Sequence, residues 1–182
     1  MDETDDRTRF EAVYRRTYEQ ILGYATRRCS CAEDAADVVA ETYVIAWRRM
    51  AELPHGDAGR LWLYGVARRV LANHRRGERR RATRHAELTA EAEILFPPPS
   101  PLGGPDEVGR AMDMLSDDDR ELLTLAVWEE LDPGQIAEVL GCSRNAARTR
   151  LHRARKRFTK ALQQIRPSAR LETRPLLEKE SR

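Results

Sequence analysis

Residues 86–109 contain no Lys or Arg, five acids and five of the nine prolines, three of them consecutive at Pro97–Pro99. Proline lacks the N–H that a helix or sheet ladder needs and has a fixed φ, so this stretch reads as a stiff, extended strap that proteins do not bury. The chain is therefore expected to form two parts rather than one. Its about 22 residues could span roughly 70 Å at about 3.3 Å each. The expected fold is all-α, two small helical domains joined by a flexible Pro-rich linker. The boundaries fall at 1–85, 86–108 and 109–165, followed by a mostly disordered tail at 166–182.

The second domain carries the clearest local signals. Asp132 is a capping residue and Pro133 suits the first turn of a helix. Ile136, Ala137 and Leu140 share a helical face, and Gly141 ends the helix because glycine enters the left-handed region without strain. Ser143 can cap a following helix whose apolar positions are Ala147, Leu151, Ala154 and Phe158. Its other face carries Arg144, Asn145, Arg148, Thr149, His152, Arg155 and Lys156. Between Arg144 and Lys160 there are eight Lys or Arg and no acid. This is the pattern of a helix-turn-helix whose second helix enters a DNA major groove. A plain helical hairpin with a basic, solvated face is the other reading of the same residues. Upstream, the run Ser116–Glu121 starts a helix with acids at its positive end. Leu122, Leu123, Ala126 and Val127 are expected to pack it against the helix-turn-helix.

The first domain reads as three helices. Residues 9–28 place Phe10, Val13, Tyr14, Tyr18, Ile21, Leu22 and Ala25 on one face. A second helix, from Ser30 or Cys31 to Met50, puts Val39, Thr42, Tyr43, Ala46, Trp47 and Met50 together. Asp34, Asp37 and Glu41 form an acidic stripe on its opposite side, which is either a solvated face or a docking surface for a basic partner. After the turn-rich loop 53–59, residues 60–76 bury Leu63, Val66, Ala67, Val70, Leu71 and His74. Trp62, Arg69, Asn73 and Arg76 project the other way. An aromatic ring among cations suits single-stranded nucleic acid, although Trp62 could equally cap the core edge. The basic run goes on through Arg75, Arg79, Arg80, Arg81 and Arg84 with only Glu78 against it. Such density repels itself unless an anion is bound.

Net charge is only +2, so the segregation of cations into two blocks, near 68–84 and 144–160, is what points to phosphate. No apolar run reaches the ~20 residues of a membrane span, and the acidic N-terminus lacks a signal-peptide core. A cytoplasmic protein without membrane insertion is expected. Cys29, Cys31 and Cys142 make no disulfide framework, and the four histidines have no zinc spacing. No P-loop, G-x-S-x-G or H-E-x-x-H occurs, so no enzyme, cofactor or metal is expected.

Three segments carry a family resemblance. DAADVVAETYVIAW (Asp34–Trp47) resembles the core-binding helix of extracytoplasmic-function (ECF) RNA polymerase sigma factors, usually written DAEDLVQETFLRAW. WLYGVARRVLANHRR (Trp62–Arg76) resembles their −10 helix, often WLYRIARNLAIDHLR. Leu115–Arg157 resembles their fourth conserved region. Together they span nearly all of residues 10–160. The resemblance implies a dissociable subunit that binds core RNA polymerase through the β′ clamp helices and β flap. It would read promoter DNA and have an anti-sigma partner. Asp34, Asp37 and Glu41 would meet the polymerase. Trp62, Arg69, Asn73, Arg75, Arg76, Arg79 and Arg80 would lie along the −10 element, with the 53–59 loop near an extruded base. Arg144, Asn145, Arg148, Thr149 and His152 would face the −35 element, with Arg150 and Arg153 nearer phosphates. This chain departs from the pattern at Ala36 and Ala40, where Glu and Gln are usual. It also has Arg69 for Asn, Asn73 for Asp and Ala147 for Val. The rival expectations are a stand-alone helix-turn-helix regulator binding duplex DNA as a dimer, and a nucleic-acid enzyme, which would need metal ligands or a base that the chain lacks.

Overall fold

The computed structural model describes residues 3–86 and 107–172. Most of the expected linker and the end of the tail, 173–182, lie outside the described residues. Helices follow one another as α1 (Glu3–Thr26), α2 (Ala32–Arg48), α3 (Asp57–Ala86), α4 (Glu107–Asp113), α5 (Asp117–Val127), α6 (Pro133–Leu140) and α7 (Arg144–Glu172), with a single 3-10 turn at Met50–Glu52. No strand occurs among the described residues.

Local chemistry explains the best-defined ends. The Asp132 carboxylate accepts from the backbone N–H groups of Gly134 and Gln135, and the Gln135 side chain accepts from the Asp132 N–H, a reciprocal capping box. Gly141 has φ 65°, and Cys142 N–H returns to the Ala137 carbonyl at 2.9 Å, closing α6. Ser116 caps α5 by accepting from Asp119 N–H at 3.2 Å. Other helices run longer than their apolar spacing predicts. The acids at the start of α1 favour its positive end, so the helix starts at Glu3 rather than near residue 9. α3 runs on to Ala86 through arginines, which are good helix formers. α7 continues to Glu172, seven residues into the stretch expected to be tail.

α1, α2 and α3 enclose Ile21, Tyr24, Val38, Thr42, Leu63 and Val66. Two expected core residues are not inside. Trp47 is 43% exposed, and Tyr14 lies at the surface. Both belong to an aromatic chain, Phe10 meeting Trp47 edge-on at 5.2 Å and Tyr14 meeting Tyr43 at 4.7 Å. His74 is half-buried and pairs with Asp34 at 3.4 Å instead of entering the apolar core. α4–α7 bury Leu122, Leu125, Ile136, Ala147, Leu151 and Ala154. Val127, expected on the packing face, is 64% exposed, and Leu125 takes its place. The turn of α5 that points inward is offset from the one that apolar spacing alone suggests.

The two halves touch. α3 packs against α6, and their apolar residues join in one cluster. A Cβ on Gly65 would sit 3.6 Å from the Val139 carbonyl oxygen, in ordinary van der Waals contact, so the two helices meet at this point. The residues that make this contact, Tyr24, Tyr64 and Val139 among them, fell on no face predicted above.

Candidate nucleic-acid interface

On α7 the buried residues Ala147, Leu151 and Ala154 fix which side faces out. Arg144, Asn145, Arg148, Thr149 and His152 are all exposed, on the first three turns. Ser143 caps this end, accepting from Ala146 N–H at 3.2 Å. Side chains able to make bidentate contacts to base edges therefore stand on the protruding end of a firmly held helix. Arg150 and Arg153, exposed as well, turn to the flank and border a crevice with Arg68, Asp118 and Glu121. Arg157 beside them bonds both oxygens of Asp119, at 2.8 and 2.7 Å, tying α7 to α5.

On α3, Arg69, Asn73 and Arg76 are exposed. Trp62 is half-buried against the core, with the Arg49 guanidinium 5.6 Å above its ring. Arg75 is half-buried, and its guanidinium donates to the Arg28 carbonyl at 3.2 Å. Arg79 and Arg80 are on the helix, with side chains outside the described residues. The 53–59 loop is set from α1: Arg9 donates to the Met50 carbonyl at 3.4 Å and also to Leu53, and Arg16 donates to Gly56 at 2.7 Å. Glycine at 59 is required, because a Cβ there would lie 2.7 Å from the Pro54 carbonyl oxygen.

The acidic residues of α2 divide. Asp37 and Glu41 are exposed, in line with Ala40, Val44 and Trp47. Asp34 is half-buried and engaged by Ser30 at 3.3 Å and by His74. The outer stripe is thus acidic at one end and apolar at the other.

Arg27, Arg28 and Glu129, none of them singled out from sequence, join Glu121 in a charge cluster between the two halves. Arg28, 4% exposed, donates to Glu121 at 2.8 Å and to Glu129 at 3.1 Å, with its guanidinium 3.6 Å over the Tyr24 ring. Tyr24 donates to Glu121 at 2.7 Å, and Arg27 donates to Glu129 at 2.7 Å. Burial, then the neighbouring Glu121 carboxylate, pushes the Tyr24 phenol well above its ordinary range. Burial and Glu129 push Tyr64 up to about 12. Nothing in the local run Thr26–Arg27–Arg28–Cys29 links Arg28 to acids some hundred positions away.

A helix-turn-helix whose second helix has an exposed cationic face, together with a second basic helix, points to a DNA-binding protein. Comparison with known proteins sharpens the class. Residues 13–81 match the family model for sigma-70 region 2, and residues 106–158 match that for sigma-70 region 4. The RNA polymerase sigma-H factor of Pseudomonas aeruginosa is 30% identical over 173 residues, covering 88% of this chain and 89% of the relative. RNA polymerase sigma factor YlaC of Bacillus subtilis is 29% identical over 170 residues, covering 91% and 98%. In fold, the chain is similar to the sigma factor RpoE of Bartonella quintana, solved with the anti-sigma factor NepR. That match has TM-score 0.59 and 23% identity, over 85% of this chain and 96% of that one. The chain belongs to the ECF group of sigma-70 RNA polymerase sigma factors. The family is not one of enzymes. Matches to regions 2 and 4 together do not favour a stand-alone dimeric regulator. No helix among the described residues is long and apolar enough to cross a membrane.

Proposed function

We propose that this sigma factor directs initiation through three separate surfaces. The exposed start of α7, with Arg144, Asn145, Arg148, Thr149 and His152, reads the −35 element, and Arg150 and Arg153 follow phosphates. The face of α3 bearing Arg69, Asn73 and Arg76 takes the −10 strand. Trp62 braces the edge of that face and Arg75 its base, while Arg79 and Arg80 extend it. On α2, Asp37 and Glu41, continued by Val44 and Trp47, meet the β′ clamp helices, and Asp34 orients that stripe. Residues 1–85 and 109–165 act as the two promoter-reading domains, with 86–108 as strap, and the protein works in the cytoplasm without catalysis or cofactor. The β flap and an anti-sigma protein are further partners. The support for this reading is that every expected −35 residue is exposed on the side of α7 opposite a buried apolar face.

Strand opening then needs no hydrolysis by this chain, because capture of unstacked bases offsets the few kcal/mol of unpairing. In vitro transcription with core polymerase on genomic fragments tests the whole. Discrete new start sites are expected on adding the protein; the same products with core enzyme alone, or binding of duplex DNA by the protein unaided at comparable strength, count against it.

A further inference from the structure

Helical spacing puts Asp37, Ala40, Glu41, Val44 and Trp47 on one side of α2, and all five are exposed. The apolar end of this side opens on a groove of about 880 Å³ against α1, lined by Phe10, Tyr14, Ala40, Tyr43, Val44 and Trp47. Its charged members, Arg7 and Glu11, pair with each other at 3.2 Å. Among the described residues, three of the seven large apolar side chains left exposed, Tyr14, Val44 and Trp47, are gathered here. Exposure concentrated in one place marks a surface that something covers, and no residue of α3–α7 lines it. Position 40 decides whether the groove is open. The motif that Asp34–Trp47 resembles carries Gln there, whose amide would lie over the rings. Ala40 ends at its Cβ and leaves them bare.

We infer that Ala40 turns this groove into a socket for one bulky apolar side chain of a core RNA polymerase helix, with α1 supplying the far wall. This rests on the reading of the α2 stripe as the polymerase-docking face. Two observations carry it. The groove is continuous with the stripe, sharing Ala40 and Val44, so a partner laid along Asp37 and Glu41 runs directly onto it. The order of charge along α2 then defines the partner: cations opposite Asp37 and Glu41, and an apolar residue one to two turns further on, opposite Val44 and Trp47. Four rings, Phe10, Tyr14, Tyr43 and Trp47, surround that residue, which suits Leu or Met. Ala40 thereby sets specificity. A polymerase helix built to hydrogen-bond Gln at this point would strand its polar group against the rings, whereas one with an apolar side chain gains contact.

Ala40→Gln is the test. The position is exposed, Gln is a good helix former, and no charge changes. Labelled full-length protein is titrated with core RNA polymerase of the same organism, and binding is read by anisotropy, with circular dichroism as the check on folding. Ala40→Gln is expected to weaken core binding about tenfold, a change of about 1.4 kcal/mol. Tyr14→Gln, on the α1 wall and also exposed, is expected to weaken it several-fold. Unchanged or tighter binding by Ala40→Gln overturns the inference, because the groove is then covered by something else, such as the chain's own tail or a second copy. Loss with Ala40→Gln but none with a folded Tyr14→Gln overturns the part given to α1. The reading of the stripe fails separately: core binding that survives Asp37→Arg sinks that reading, whereas loss with Asp37→Arg beside an unaffected Ala40→Gln sinks the socket alone.

Discussion

Arg28, in the turn after α1, and Glu129, in the turn after α5, come from opposite halves of the chain and meet at 3.1 Å with 4% and 6% of their surfaces exposed. Each also bonds a second group, Arg28 to Glu121 and Glu129 to Arg27. Such a pair adds little net stability over an apolar contact of equal size, yet losing one member leaves a stranded charge. It therefore specifies one docked arrangement and resists others. The turn that presents Glu129 supports this, since Glu130 holds φ 55°, a conformation that non-glycine residues seldom adopt.

Glu129→Gln should loosen the docking by about 3 kcal/mol, because Arg27 and Arg28 lose their shared carboxylate. Calorimetry is expected to resolve two thermal transitions in the variant where the wild type shows one. A single transition at the wild-type midpoint would mean that the cluster does not couple the halves.

Tyr64 and Tyr43 are both held up to about 12, each chiefly by burial, Tyr64 further by Glu129 and Tyr43 by its tyrosine neighbours. A phenol raised in the folded state favours folding below its unfolded value of about 10, and that contribution is lost as pH climbs towards about 12. Stability should accordingly be flat up to about pH 10 and fall above it. Ultraviolet titration of Glu129→Gln should show the Tyr64 phenol ionising at lower pH than in the wild type, with Tyr43, which lies wholly within the first three helices, unmoved.

Arg148→Ala should weaken promoter use by about 1–3 kcal/mol at sequences that this side chain contacts, and far less elsewhere. Run-off transcription on a panel of −35 variants measures it. Equal loss on every promoter would make Arg148 a phosphate contact rather than a reader of bases.

Asp37→Arg reverses charge on the exposed stripe of α2, where no buried partner depends on it. Polymerase pull-down should fall sharply while circular dichroism stays unchanged. Undiminished pull-down would move the docking face elsewhere. Asp34→Arg is a poorer choice, because Asp34 also holds Ser30 and His74.

What local chemistry dictates was legible in the residues. Asp132, Pro133 and Gly141 specify a start, a first turn and an end without reference to anything distant, and α6 follows them. The outward face of α7 was legible for the same reason, since Ala147, Leu151 and Ala154 leave only one side for the cations. Trp47 was placed inside because its spacing matches Tyr43 and Ala46, but periodicity marks a side of the helix and not where the core stops. The contact between halves was not legible at all. Arg28 and Glu129 each look like ordinary surface charges until tertiary structure brings them together, and a proline-rich strap says how far apart two domains can go, not how near they rest.

The loop at 53–59 is fastened by guanidinium groups from the opposite end of its half of the chain, Arg9 and Arg16. The carbonyls of Leu53 and Gly56 are already engaged, so these two acceptors are taken before any base arrives. Its shape is also hostage to the first helix: clipping the N-terminus before residue 17 would spare every residue expected to touch DNA and still leave the loop without its moorings.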